Sequence, residues 1–133
     1  MQVDLPDVLA EVTEQFKRYE RALVTNDVAV LDETFRVDPR TIRYGVTEIL
    51  YGFDEIAAFR AARSAIGLNR TTSKTVITAY GRDCAVASTL FHRATMPGKV
   101  GRQMQSWVKF PDGWHVVAAH VSVIDEKDVW KRT

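Results

Sequence analysis

Two polar side chains in this sequence have the types and positions needed to bind and protonate a small anion: Tyr19 and Arg43. A tyrosine hydroxyl can donate a proton, and a guanidinium can hold a carboxylate through two parallel hydrogen bonds. Tyr19 lies on the apolar stripe of a predicted helix, so its ring points inward. From periodicity alone, a packing tyrosine whose hydroxyl reaches a backbone partner is slightly favoured. Arg43 alternates with Ile42 and Tyr44 in a strand-like run, where a solvated edge arginine fits the spacing at least as well.

The last predicted strand adds His120 and Ser122 as candidates for substrate binding. Strict alternation puts both on the same face as three apolar residues, Trp114, Val116 and Ala118. Polar residues at the end of an apolar face are typical of the mouth or floor of a cavity. A structural histidine is the alternative interpretation. The pair resembles a fragment of a catalytic triad, but two residues on one face of one strand are poorly placed for a hydrogen-bonded relay.

Three further polar residues complete the set of candidates. Gln105 and Arg102 lie on opposite faces of the preceding predicted strand, and alternation alone does not decide which of them faces inward. We take Gln105 as a candidate for substrate binding and leave Arg102 open. Arg70, where the helical period gives way to alternation, is another candidate for substrate binding.

Several other chemistries lack the residues they need. Three histidines and one cysteine are scattered over the predicted strands without the spacing of a zinc site. Gly98 and Gly101 flank a hairpin turn and precede no helix, so they do not form a phosphate-binding loop. We therefore expect neither a metal nor an organic cofactor.

Composition indicates one globular domain over residues 1–133. The formal net charge is +1, so the chain lacks the basic field that nucleic-acid binding usually needs. The longest apolar run is far shorter than the roughly 20 residues that span a bilayer. The N-terminus has no secretory signal, and the lone Cys84 fits a reducing compartment. We expect a cytoplasmic protein without a nucleic-acid or membrane partner.

The elements that position the candidates follow from periodicity. Apolar residues spaced by three and four predict a first helix over residues 6–25, a short second helix over 28–35 and a third over 53–64. Two short strands are predicted at 41–45 and 48–52. Alternation and turn residues then predict four strands, at 71–79, 84–95, 101–110 and 114–123. The charged tail from Asp125 is expected to fray, with Trp130 as the residue in it that could pack.

Helices first and a meander of strands last predict an α+β fold. Short connections make neighbouring strands antiparallel. We expect a curved antiparallel sheet that N-terminal helices close around one pocket.

Several stretches resemble a known family. They read TIRYGVTE at residues 41–48, LYG at 50–52, IAAFRAAR at 56–63 and GWHVVAAHVS at 113–122. Together they resemble the AtzH/HpxZ group of the nuclear transport factor 2-like (SnoaL-like) superfamily. The last stretch alone is weak evidence for the group, because many members of the superfamily carry a similar sequence. The combination is more specific, and the similarity runs from the first helix to Val123.

The resemblance implies a cone-shaped α+β barrel and, commonly for the superfamily, dimerisation through the outer sheet face, as a homodimer or a dimer of dimers. The group's proposed essential tyrosine and arginine fall on Tyr19 and Arg43, which makes these the predicted catalytic residues. The implied reaction is the cofactor-independent decarboxylation of an N-carboxylated urea, from 1,3-dicarboxyurea to urea-1-carboxylate (allophanate), in cyanuric acid (s-triazine) catabolism.

Two rival functions make different demands on the interior. An accessory, non-catalytic protein of ureide or oxalurate catabolism predicts that Arg43 pairs with a protein carboxylate and that the cavity is too small for a dianionic ureide. An isomerase or hydratase needs an interior carboxylate as a general base, and the predicted strand faces offer none.

Overall fold

The computed structural model describes residues 1–129 as three helices packed on a six-stranded sheet. The helices are α1 (Pro6–Thr25), α2 (Val28–Thr34) and α3 (Phe53–Ala62). The strands are β1 (Ile42–Tyr44), β2 (Ile49–Tyr51), β3 (Thr71–Tyr80), β4 (Cys84–His92), β5 (Lys99–Phe110) and β6 (Gly113–Asp125). A short 3₁₀ helix, Glu126–Asp128, follows, and Trp130 lies outside the described residues.

Helix α1 carries the apolar stripe that its spacing predicts. Pro6 occupies the first turn, where its missing N–H costs nothing, and Asn26 ends the helix in the left-handed conformation with φ 54°. The residues of the stripe are all buried: Val8, Val12, Phe16, Tyr19 and Leu23. The stripe joins the main apolar cluster of the protein, which α2 and the inner face of the sheet complete.

The sheet is curved and mixed, and it does not close. Its strand order is β2-β1-β6-β5-β4-β3, which leaves β2 and β3 at the two edges. Every pairing is antiparallel except that of β1 with β6, which runs parallel with Ile42 opposite Ala118. The expectation of a wholly antiparallel sheet is wrong here. Because β1 and β6 are far apart along the chain, the rule for short connections does not apply to them. The α+β fold with helices over one sheet face is confirmed.

A β-bulge in β6 reverses which residues face inward. Ser106 pairs with Ala118 but the next residue, Trp107, pairs with Val116, so Val117 is an extra residue in the strand. Before the bulge Trp114 and Val116 are buried, and after it Ala119 and Val121 are. The prediction that His120 and Ser122 share the inward face with Trp114 is therefore wrong.

The outer face of the sheet carries several exposed apolar side chains. They are Ile49, Tyr51, Val76 and Met104, each more than half exposed. A face of this kind is compatible with the expected contact between copies of the chain. The oligomeric state stays a prediction.

Candidate functional site

A partly enclosed cavity of about 160 Å³ lies beneath α1, at the end of the helix that carries Tyr19. Its polar lining residues are Tyr19, Arg43, Glu48, Arg63, Arg70, Arg93 and Gln103. Leu23, Val46, Phe59, Leu68 and Val121 form its apolar wall. Three larger hollows, of about 440, 450 and 500 Å³, hold neither Tyr19 nor Arg43, although the first of them shares Arg70 and Arg93 with this cavity. The cavity therefore brings together the two residues that the sequence predicts as catalytic.

The Tyr19 ring is buried, at 2% exposure, and packs at a tilt against Phe35 with 6.1 Å between ring centroids. No group among residues 1–129 hydrogen-bonds its hydroxyl. The backbone partner that the alternative interpretation of Tyr19 requires is not found in that part of the chain. The hydroxyl remains available to a ligand in the cavity.

Arg43 is buried and is held by a carboxylate of the protein. Its Nη1 donates to Glu48 Oε1 at 2.7 Å, and Thr47 donates to Oε2 through its backbone N–H at 3.1 Å and its hydroxyl at 2.8 Å. Burial alone would raise the pKa of Glu48, but these hydrogen bonds outweigh it and hold the pKa below its usual range. Arg43 Nε is buried with no partner among the described residues.

Gly45 is what makes room for this ion pair. The backbone turns back on itself where Gly45 N–H donates to the Glu48 carbonyl at 2.9 Å. A Cβ at Gly45 would lie 1.7 Å from Glu48 Oε1 and 2.8 Å from Arg43 Nη1. Only glycine lets the carboxylate lie against the backbone there. The interior carboxylate thus comes from the turn before β2. The predicted strand over 48–52 begins at Glu48, but Glu48 precedes the strand in the structure, so alternation does not determine the direction of its side chain.

Arg70 forms a second ion pair at the cavity. Its Nε donates to Glu20 Oε2 at 3.2 Å and its Nη2 to Glu20 Oε1 at 2.5 Å. Gln103 joins the pair by accepting from Arg70 at 2.9 Å and donating to Glu20 at 3.3 Å. The guanidinium also stacks over the Phe91 ring, 4.5 Å from its centroid. Arg70 lines the cavity, and its role in substrate binding stays a prediction.

Arg63 and Arg93 also line the cavity, and the sequence analysis did not select them as site residues. Neither side chain has a hydrogen-bond or carboxylate partner among residues 1–129. Burial lowers the pKa of each guanidinium, and the neighbouring arginines lower it further. Alternation would have found Arg93, because it continues the inward series Ala87, Thr89 and Phe91.

Arginines outnumber carboxylates in this cavity. Arg43 is paired with Glu48 and Arg70 with Glu20, which leaves the guanidiniums of Arg63 and Arg93 uncompensated. Both side chains are half-buried, and a cation that is partly withdrawn from water without a counter-ion is unfavourable unless an anion completes it. The site is therefore suited to a small anion with more than one negative charge.

The remaining predicted residues lie outside the cavity lining. Alternation left open whether Gln105 or Arg102 faces inward, and in the structure it is Gln105 that does. Its amide oxygen accepts a hydrogen bond from Trp107 Nε1 at 3.2 Å. Arg102 Nε donates to Ser122 Oγ at 3.1 Å on the outer face. His120 packs edge-on against Tyr44, also on that face. The bulge at Val117 is the reason why His120 and Ser122 point away from the cavity.

No group of three or more His, Cys, Asp and Glu side chains in residues 1–129 could hold a metal ion. None of the helices in the same range combines the length and the apolar character that a bilayer span requires.

Comparison with known proteins agrees with the resemblance seen in the sequence. No curated protein matches the chain. A protein of unknown function from Pectobacterium atrosepticum is 59% identical with a TM-score of 0.90, over 92% of this chain and 95% of that one. A cystatin-like fold protein from Burkholderia xenovorans is 42% identical with a TM-score of 0.90, over 94% of this chain and 98% of that one.

A nuclear transport factor 2-like superfamily protein from Salmonella enterica has a TM-score of 0.73 at 26% identity, over 96% of this chain and 98% of that one. This similarity confirms the predicted nuclear transport factor 2-like fold. The family model described as AtzH-like matches residues 1–127. The chain therefore belongs to the AtzH-like family.

Proposed function

We propose that this protein is a cofactor-independent decarboxylase that converts 1,3-dicarboxyurea to urea-1-carboxylate in cyanuric acid catabolism. The observation that carries the proposal is that Tyr19 and Arg43 line one cavity in which two further arginines lack carboxylate partners. A proton donor, an anchoring cation and uncompensated positive charge together suit the loss of carbon dioxide from a small dianion. The AtzH-like family of the chain supports the choice of substrate class.

In the proposed reaction, the bond between one urea nitrogen and its carboxylate carbon breaks, and carbon dioxide leaves. The electron pair of that bond stays on the nitrogen, which takes up one proton. The Tyr19 hydroxyl supplies that proton and is then reprotonated from solvent. Since no described residue hydrogen-bonds this hydroxyl, nothing in that part of the chain competes with the substrate for it.

Arg43 orients the substrate. Glu48 engages Nη1 and fixes the guanidinium plane, while the unpartnered Nε remains a donor towards the substrate. The apolar wall of the cavity, which includes Leu23 and Val121, favours the loss of a charged carboxylate as neutral carbon dioxide. An apolar cavity of about 150 Å³ binds benzene, which has six heavy atoms. The ten heavy atoms of 1,3-dicarboxyurea would therefore fill the cavity of about 160 Å³ and extend into its open mouth.

A second candidate function is non-catalytic binding of an anion in ureide or oxalurate catabolism. The Arg43–Glu48 pair favours it, because the rival hypothesis predicts a protein carboxylate on Arg43. Turnover separates the two functions: a binding protein would retain the dianion without releasing carbon dioxide.

The test is carbon dioxide release from 1,3-dicarboxyurea by the purified wild-type protein and by Tyr19→Phe and Arg43→Ala. We expect Tyr19→Phe to lose about 10²–10⁴-fold in kcat, the range for a missing general acid. Arg43→Lys is added because it keeps a cation beside Glu48 while losing the planar fork. Tyr80→Phe, at an exposed tyrosine of β3, is the matched control and should keep the wild-type rate. Near wild-type rates in both Tyr19→Phe and Arg43→Ala would contradict the mechanism.

A further inference from the structure

Two separate elements of the fold deliver Arg63 and Arg93 to the cavity. Arg63 is the residue directly after α3, and Arg93 is the residue directly after β4. Arg63 Nε and Nη2 and Arg93 Nε are buried and have no hydrogen-bond partner in residues 1–129. Aromatic rings lie beside them, Phe59 at 5.9 Å from the Arg63 guanidinium and Phe91 at 4.9 Å from that of Arg93. The rings help to position the guanidiniums through cation–π contacts, but they carry no net negative charge.

The carboxylates nearest to this pair are already engaged. Glu48 accepts from Arg43 and from Thr47, and Glu20 is held in a two-point contact by Arg70. The cations also act on one another, since Arg63 and Arg70 both lower the pKa of Arg93 after burial, its main cause. An arrangement of this kind costs folding free energy in the empty protein. It is expected where a ligand supplies the missing negative charge.

We propose that Arg63 and Arg93 form a carboxylate-binding subsite, separate from the Arg43–Glu48 pair, that makes the cavity selective for dicarboxylates over monocarboxylates of the same skeleton. The inference rests on the proposed function and assigns the two carboxylates of the substrate to different residues. Tyr19 and Arg43 act on the end of the substrate that reacts, and the subsite holds the carboxylate that is kept. The product has one carboxylate fewer than the substrate, so it binds more weakly and leaves the cavity.

The experiment measures binding of two stable probes to the whole protein by calorimetry at fixed ionic strength. Glutarate and butyrate differ by one carboxylate, as the proposed substrate and product do. We expect the wild type to bind glutarate at least about tenfold more tightly than butyrate, because a single hydrogen bond to a charged group contributes enough binding free energy for a tenfold difference. Arg63→Gln and Arg93→Gln should each remove most of this difference while changing butyrate binding little. Arg82→Gln, at an exposed arginine paired with Asp7, is the control and should keep the wild-type ratio.

A merely structural role for the two arginines would lower the affinity for both probes equally and would lower the thermal unfolding temperature. That result overturns the inference, as does equal or absent binding of the two probes by the wild type. The proposed function fails separately. Glutarate selectivity without turnover of 1,3-dicarboxyurea contradicts the decarboxylase and leaves the subsite standing. Turnover with an unchanged KM in Arg63→Gln contradicts the subsite and leaves the decarboxylase standing.

Discussion

Helix α1 serves two regions of the interior with a single apolar stripe, and the two regions are built differently. Its first half places Val8, Val12 and Phe16 in the apolar cluster against the sheet. Its second half keeps Tyr19 and Leu23 in the same cluster and also exposes them to the arginine-lined cavity. Periodicity determines only that these side chains point inward. The neighbours of each side chain distinguish the two regions: apolar side chains surround the first, and arginines line the second.

The cavity region concentrates polar groups that the described part of the protein does not complete, although Arg60 and Gln105 in the packed interior also keep buried nitrogens without a partner. Among residues 1–129, the Tyr19 hydroxyl and the guanidiniums of Arg63 and Arg93 lack hydrogen-bond partners. Sites that bind ligands commonly carry such unfavourable features, at a cost in the stability of the free protein. Substitutions in the packed region should therefore lower mainly the stability of the protein, and substitutions in the cavity region should lower mainly its activity.

The largest expected effect on stability is at Phe16, one turn before Tyr19 on the same stripe. Phe16→Ala should lower the free energy of unfolding by about 3–5 kcal/mol, because a buried phenyl group is lost and a cavity remains. Tyr19→Phe should change it by less than about 0.5 kcal/mol, since no hydrogen bond within the described residues is lost. Urea unfolding of both variants measures the contrast. Equal losses of stability in the two variants would show that the regions are not distinct.

Much of the fold behind this contrast could be predicted from the sequence. The spacing of apolar residues gives α1 and the inward direction of Tyr19, and turn residues separate the four long strands. The predicted helix over 53–64 ends at Ala62, and the predicted strand over 84–95 ends at His92. Ends of elements depend on contacts with the rest of the fold, which local patterns do not contain.

The errors have a common physical origin. One extra residue, Val117, reverses the faces of the last strand, and strict alternation has no means of detecting an insertion of this kind. Glu48 was missed because it was placed at the start of the strand over 48–52, whereas it lies in the turn before β2 and reaches Arg43 from there. The pairing of β1 with β6 depends on which strands meet in space, and this is also absent from local patterns. Tyr19 and Arg43 were assigned as catalytic from family resemblance, because periodicity favoured a simpler interpretation for one and could not decide for the other.

A smaller effect is expected at Gly45, which tests whether the Arg43–Glu48 pair belongs to the cavity or only to the fold. Gly45→Ala should displace the Glu48 carboxylate and destabilise the protein by about 1–3 kcal/mol, as overpacking does. The double variant Gly45→Ala, Glu48→Ala removes the carboxylate that clashes. Arg43 Nη1, 2.8 Å from the same Cβ position, is then released from its ion pair and is free to shift. If the clash is the cause, the double variant should be no less stable than Glu48→Ala alone in urea unfolding. Additive losses would mean that Gly45 acts through something other than this contact.

The smallest effect is expected at Arg63, and its sign is opposite to the others. Arg63→Gln removes an uncompensated, half-buried cation, so it should stabilise the empty protein by about 1 kcal/mol, a common gain when a functional constraint is relieved. Arg82→Gln removes an exposed charge and should leave the unfolding midpoint unchanged. Saturating glutarate should reverse the order of stability. A ligand that binds the native state raises its stability with the logarithm of its affinity, and a tenfold tighter wild type gains about 1.4 kcal/mol more than the variant. Loss of stability in Arg63→Gln without ligand would place this arginine with the packing residues, and the contrast between the two regions would then have to be redrawn around Tyr19 and Arg93.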